Sequence, residues 1–170
     1  MDFSKFKTND WLIVGGGLGM LIFGFLSWTK VSVAGLGSTS GANAFDFFFT
    51  GTIPWLLLVA SAVLTVLLVT EKIAKDSLPW PMIILAATGL AALLLIIRFL
   101  FNPIDGKDFI EAAGGSVGRG AGLILSLIAG LVAAAGGVMS FTASGGNLKD
   151  LTDVNKIKDA FDGGGDSDDA

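Results

Sequence analysis

The chain contains no cysteine, no histidine and no tyrosine. Without cysteine there can be no disulfide, no thiolate metal ligand and no thiol nucleophile. Without histidine the chain lacks the side chain most often used for proton transfer near neutral pH and for metal ligation. We therefore predict no catalytic residues, no cofactor-binding residues, no metal site and no enzymatic activity.

Charge is also scarce. Charged residues make up 15% of the chain, against about 25% in a typical soluble domain. The net charge of −4 belongs to residues 148–170, which hold seven Asp and three Lys, so the preceding residues are balanced. Because no basic stripe exists, we expect no nucleic-acid partner.

Apolar residues, in contrast, are abundant and occur in blocks. They form 52% of the sequence, and the mean hydropathy is +0.74. Four stretches, at about 11–28, 53–70, 82–101 and 121–143, reach the roughly 17–25 residues that a helix needs to cross a bilayer. Spans in lipid must satisfy their own backbone groups, and these show no alternation typical of a barrel. The sequence predicts an all-α membrane protein whose residues 1–147 form a four-transmembrane-helix bundle.

Basic residues predict the orientation of this bundle. Seven fall on one side of the spans, namely Lys5, Lys7, Lys72, Lys75, Lys149, Lys156 and Lys158. Four fall on the other, namely Lys30, Arg98, Lys107 and Arg119. The side with more Lys and Arg is usually cytoplasmic. We therefore predict a multi-pass protein of the bacterial plasma membrane with both termini in the cytoplasm, and expect the four Trp residues at the span ends to lie in the headgroup zone.

The first apolar stretch allows a second interpretation. Lys5 and Lys7, the apolar stretch and the small residues 32–34 together resemble a cleavable signal peptide. The stretch is longer than the usual apolar region of such a peptide, however, and Lys30 separates it from the cleavage-like residues. We therefore favour a first helix that stays in the membrane.

Small residues recur at spacings that let helices approach closely in lipid. The candidate packing or oligomer face consists of Gly15, Gly19, Gly122, Ser126, Gly130 and Ala134. Packing within one four-helix bundle is the interpretation we favour, and a homo-oligomer is the alternative. The second span is rich in Leu, so we expect it to face lipid more than the others.

The first outer loop contains an aromatic cluster around a single acid, Phe45-Asp46-Phe47-Phe48-Phe49. It could contact a partner protein or lipid, although a cluster that caps the bundle is the simpler interpretation. Residues 29–33 alternate as a short strand does. Arg98 is the one ionised residue within a span. We expect it to extend towards the headgroups, and Asp46 is the candidate partner if it is paired instead.

Two further segments lie outside the spans. Asp105, Asp108 and Glu111 in the second outer loop could gather a cation, but Lys107 lies among them and we favour a solvated loop. After the fourth span, Leu151, Val154, Ile157 and Phe161 recur at helical spacing, which predicts a short amphipathic cytoplasmic helix at 148–162. Residues 163–170 are mostly Gly and Asp and are predicted to be disordered.

Three classes of function are left to compare. Enzyme is the weakest, and a small oligomeric channel or transporter component comes second because the spans lack the mid-membrane acids of coupled carriers. We favour a structural or accessory membrane protein, a small subunit or partner of a larger envelope or membrane complex. Its expected partners are the bilayer and other membrane proteins.

Three motifs carry a resemblance that covers most of the chain up to about Phe161. They are FLSW at 25–28, NAFDFFFTGTIPWLL at 43–57 and LKDLTDVNKIK at 148–158. With these motifs the chain resembles small four-span membrane proteins of actinobacteria. Ser27 occupies a position at which the resemblance leads us to expect Pro. The resemblance implies an envelope-associated protein, a small subunit of a larger assembly, and it carries over no catalytic or ligand residues.

Overall fold

The computed structural model describes residues 3–33, 37–74, 78–101, 107–149 and 158. Four long helices dominate this part of the chain: α1 (Thr8–Phe23), α2 (Ile53–Val69), α3 (Trp80–Phe101) and, after the short α4 (Lys107–Ala112), α5 (Ala121–Ala143). A 3-10 turn at Phe3–Lys5 precedes α1, another lies at Ala44–Asp46, and a π-helical turn at Phe48–Thr52 leads into α2.

Three of these helices are long and apolar enough to cross a membrane. They are Phe48–Val69, which includes the π-helical turn, Trp80–Phe101 and Ala121–Ala143. The α1 helix has 16 residues, so at about 1.5 Å per residue it is about 24 Å long. The protein is therefore a helical membrane protein, with three helices long and apolar enough to span and a shorter fourth helix packed among them.

The first helix ends earlier than the predicted span, at Phe23 rather than Trp28. The N–H of Gly24 still donates to the Met20 carbonyl at 3.0 Å, as in a helix, but its own carbonyl accepts from the Ala44 N–H at 3.1 Å, and the chain turns there. Trp28 is consequently fully buried, and its indole Nε1 donates to the Phe23 carbonyl at 3.2 Å. Trp28 is therefore covered by the protein and is not exposed as an interfacial anchor, and its depth in the membrane stays a prediction.

The four long helices form a ring in which consecutive members are neighbours. The α1 helix packs against α2 and α5, and α3 packs against the same two helices. Neighbours run antiparallel, because Gly16 of α1 lies against Ala129 and Ala133 of α5, while Gly136 lies further back against Asn9. The result is an up-down-up-down bundle with a short connection between α2 and α3.

A three-stranded antiparallel sheet covers one end of the bundle. Its strands are β1 (Thr29–Val33), β2 (Gly37–Ser40) and β3 (Gly115–Arg119), in the order β2-β1-β3. The register pairs Val31 with both Thr39 and Val117. The short strand predicted at 29–33 is confirmed, whereas the all-α prediction is wrong for the loops. We call this end the capped end and the opposite end, with the N terminus of α1, the open end.

The core runs along the axis of the ring. Met20, Leu58, Leu95, Leu123 and Ala133 are all fully buried in one cluster. The helices are buried to different extents. Of the apolar stretch around α2, 28% is buried within the protein, against 44% of the one in α5. Of the three helices long enough to span, the Leu-rich second one is therefore the least buried within the protein, and its greater exposure to lipid stays a prediction. The predicted helix at 148–162 and tail at 163–170 lie almost wholly outside the described residues.

Candidate functional site

Glycines of α1 decide how closely it approaches its neighbours. A Cβ on Gly16 would lie 2.6 Å from the Ala129 carbonyl oxygen, and one on Gly17 would lie 2.7 Å from the Leu58 carbonyl oxygen. Gly15, in contrast, is exposed and has open space where its Cβ would be. Of the two α1 positions predicted to pack, Gly19 lies near the Ala129 methyl group, while a Cβ on Gly15 would have none of the described neighbouring atoms within 4 Å.

The α5 row packs within the molecule. Gly122, Ser126 and Gly130 are buried and Ala134 is half-buried. A Cβ on Gly130 would lie 2.6 Å from a methyl of Leu95 in α3, whereas one on Gly122 would lie 2.8 Å from the carbonyl oxygen of Ser27. Gly122, Ser126 and Gly130 are therefore covered by other parts of the same chain. The homo-oligomer that was the alternative interpretation of these small residues stays a prediction.

The capped end joins two loops that are far apart in sequence. The N–H of Gly120 donates to the Trp28 carbonyl at 2.8 Å, and the N–H of Gly122 donates to the Ser27 carbonyl at 2.9 Å. Backbone from the first loop thus satisfies donors at the start of α5, which have no partner within the helix. On its other side, the N–H of Trp28 donates to the Ala42 carbonyl at 2.7 Å.

Arg98 and the aromatic cluster meet under this cap. The Arg98 guanidinium carbon lies 3.5 Å from the centroid of the Phe47 ring, and Arg98 is 1% exposed. The expectation that Arg98 extends towards the headgroups is wrong, because the ring of Phe47 and the protein interior hold it. The ion pairs among the described residues do not join it to Asp46, whose carboxylate accepts instead from the Asn43 N–H at 2.7 Å.

Exposed aromatic residues at this end include Phe25, Phe45, Phe48 and Phe49, and Trp55 beside them is half-buried. Phe25, Phe45 and Trp55 contact one another with ring centroids 5.0–6.3 Å apart. Phe48 and Phe49 form an edge-to-face pair and are 62% and 71% exposed. We call these five residues the aromatic patch. The predicted cluster is thus divided, since Phe47 lies inward on Arg98 while Phe45, Phe48 and Phe49 point outward.

The second outer loop is more ordered than predicted. It contains α4 and β3, and Lys107 pairs with Glu111 at 3.6 Å across one turn of α4. Arg119 at the end of β3 donates through Nε to the Phe99 carbonyl at 2.8 Å and lies over the Phe99 ring. Asp105 lies outside the described residues. Among those that are described, no three acidic, His or Cys side chains gather as a metal site would require.

A cavity of about 550 Å³ opens at the open end. All four long helices contribute to it, with Asn9 and Asp10 from α1, Thr65 and Leu68 from α2, Ile84 from α3 and Ser140 from α5. Its charged side chains lie at or near the helix ends that form the mouth, while Thr65 and Ile84 lie further along their helices.

Two basic and two acidic side chains line the mouth of the cavity. Lys5 pairs with Glu71 at 3.3 Å, and both side chains are more than half exposed. The Asp10 carboxylate accepts from the Lys7 N–H at 2.9 Å, which caps the start of α1. Lys7 is the other base in the lining. Glu71 lies just after the end of α2 with φ +58°, a backbone conformation that residues other than glycine rarely adopt.

Sequence reasoning missed this cavity entirely. Its charged residues come from the start of the chain, up to the first turn of α1, and from the end of α2, and Lys5 and Glu71 are 66 positions apart. One signal was available, since a Glu directly after an apolar helix stands where Gly is the usual residue. No family model, curated protein or solved structure matches the chain.

Proposed function

We propose that this chain is a structural or accessory integral membrane protein, a small subunit of a larger membrane complex. In this proposal four helices cross the plasma membrane, with the open end and both termini in the cytoplasm. The basic residues support that orientation, because Lys5, Lys7 and Lys72 lie at the open end. The actinobacterial resemblance belongs to the same proposal.

The observation that carries the accessory role is the aromatic patch on a firmly built cap. Aromatic side chains are enriched in the contact surfaces of protein complexes. The backbone beneath the patch is fixed by three sets of contacts. They are the three-stranded sheet, the hydrogen bonds from the start of α5 to loop carbonyls, and the stacking of Arg98 on Phe47. A preorganised surface loses little conformational entropy when a partner binds.

A small channel is the alternative function. The described core argues against a pore through one copy, since Leu58, Leu95 and Leu123 are fully buried on the bundle axis. A pore between several copies would instead require an interface on the exposed side of α1, where Gly15 has open space.

Purification in mild detergent followed by native mass measurement tests the proposal. We expect a defined complex larger than the chain, and we expect Phe48→Ser with Phe49→Ser to release its other subunits while the helical content stays unchanged. Phe109→Ser is the matched control, because Phe109 is 80% exposed at the same end but lies on α4. A homo-oligomer that conducts ions in liposomes, with no other subunit, would overturn the accessory role.

A further inference from the structure

We propose that the open-end cavity binds a small zwitterionic group, one that carries an ammonium together with a phosphate or a carboxylate. The cavity has about 550 Å³, within the range of about 300–1,000 Å³ that small-molecule sites usually have. Its lining includes the apolar side chains of Leu68, Trp80 and Ile84. A ligand can therefore place a short apolar part inside and its charged groups at the mouth.

The charged groups at the mouth favour a ligand that carries both a positive and a negative group. Lys5, Lys7, Asp10 and Glu71 supply two positive and two negative groups around one opening. A simple anion would face two carboxylates there, and a simple cation would face two ammonium groups. A zwitterion can pair with one group of each sign. Because the Lys5–Glu71 pair is more than half exposed, it contributes little to stability and a ligand can replace it.

The backbone at Glu71 gives a second, independent indication. The N–H of Glu71 donates to the Leu68 carbonyl at 3.2 Å and that of Lys72 to the Leu67 carbonyl at 2.9 Å. These two bonds form the Schellman motif, whose left-handed position is usually Gly. The α5 helix ends with the same motif at the same end of the bundle, and there the position is Gly145, with φ +88°.

The contrast between the two helix ends indicates that the side chain of Glu71 has a use. A Glu in the left-handed conformation is disfavoured relative to Gly. The surface ion pair with Lys5 is a weak compensation for that strain. A carboxylate that holds the ammonium of a ligand at the cavity mouth supplies a further reason for an acid at this position.

Two sources could supply such a ligand: a soluble zwitterion, or the headgroup of a zwitterionic phospholipid. Glycerophosphoethanolamine represents the soluble source, and phosphatidylethanolamine in nanodiscs represents the lipid. Binding of the soluble probe to the full chain in detergent is measured by calorimetry. Native mass spectrometry then measures retention of phosphatidylethanolamine, with phosphatidylglycerol as the anionic comparison.

We expect the zwitterionic probe to bind at least tenfold more tightly than glycerol 3-phosphate or ethanolamine, which carry only one sign each. If the soluble probe does not bind but phosphatidylethanolamine is retained over phosphatidylglycerol, the lipid is the source and the site stands. Absence of both, or equal binding of glycerol 3-phosphate, would overturn the proposal.

Substitutions of Glu71 test whether its side chain binds the ligand. We expect Glu71→Gln to weaken binding at least fivefold, and Glu71→Gly to do the same while relieving the backbone, so loss of fold cannot explain both. Glu111→Gln is the matched control, because Glu111 forms a similarly exposed ion pair with Lys107 at the capped end. Equal weakening by Glu111→Gln, or none by either change at Glu71, would contradict the assignment.

Discussion

The guanidinium of Arg98 stacks on the ring of Phe47, with its central carbon 3.5 Å from the ring centroid, in a site where Arg98 is 1% exposed. This contact ties the α3 helix to the turn that leads into α2. A desolvated cation–π contact contributes more than an exposed one. Arg98 therefore acts as a tie beneath the cap rather than as an anchor to the headgroups.

A double-mutant cycle measures this tie. We expect Arg98→Met and Phe47→Leu to couple by about 1–2 kcal/mol, the range of a desolvated contact. Thermal or detergent-induced unfolding of the purified chain gives the four free energies. The Arg119–Phe99 contact, at 4.6 Å and with Arg119 exposed, is the comparison. We expect its coupling to be less than about 1 kcal/mol. Equal coupling of the two pairs would remove the special role of Arg98.

Neighbouring glycines of α1 should respond oppositely to alanine. Gly16→Ala forces a methyl group against the Ala129 carbonyl and the Ala133 methyl group, which we expect to destabilise the bundle by about 1–3 kcal/mol through overpacking. Gly15→Ala enters open space and gains helix propensity, so stability should stay the same or rise. Both variants are compared in the same detergent by helical content against temperature. Similar losses at both positions would mean that α1 has another packing face.

The sheet that joins the two outer loops predicts a specific cross-link. Ser32 and Ser116 are directly opposite in the β1–β3 register, and the chain has no native Cys to interfere. We expect Ser32→Cys with Ser116→Cys to form a disulfide under mild oxidation, seen as a linked peptide pair by mass spectrometry. Ser32→Cys with Val117→Cys should link poorly, since successive side chains on a strand point to opposite faces. Equal yields would indicate that the loops are not held in this register.

The left-handed position at Glu71 predicts a difference between two substitutions. Glu71→Gln removes the ion pair with Lys5 but keeps the disfavoured backbone, whereas Glu71→Gly removes both. We therefore expect Glu71→Gly to be more stable than Glu71→Gln by about 1 kcal/mol. Unfolding of the two variants side by side measures this difference. A Gly variant that is less stable than the Gln variant would show that the helix end is not strained.

The helices could be predicted because long apolar stretches report burial in lipid directly. Three of the four predicted spans agree with helices to within a few residues, and among those three the Leu-rich second span is the least buried. The first span was drawn too long, because Phe25–Trp28 is as apolar as the helix before it. What ended the helix was a turn at Gly24 and the burial of Trp28, both of which depend on residues distant in sequence.

The cap and the cavity could not be predicted for a related reason. The β3 strand has the sequence GSVGR, which has little strand propensity. It forms because β1 lies beside it and because Gly115 fits against Ile110 and the Ser32 carbonyl. The cavity likewise depends on how the ends of four helices meet. The sequence indicates the cavity only through the Glu at position 71, directly after the second span.

Cysteine accessibility tests the central claim, that four helices cross the membrane and leave both termini inside, most directly. Single Cys residues are placed at Ser4 and Asn147 at the open end and at Thr39 and Ser116 in the cap, all exposed positions. Intact cells are treated with a membrane-impermeant maleimide. We predict labelling of Thr39→Cys and Ser116→Cys, with Ser4→Cys and Asn147→Cys labelled only after lysis. Labelling of Ser4→Cys together with Thr39→Cys in intact cells would show that α1 does not cross and would contradict the account.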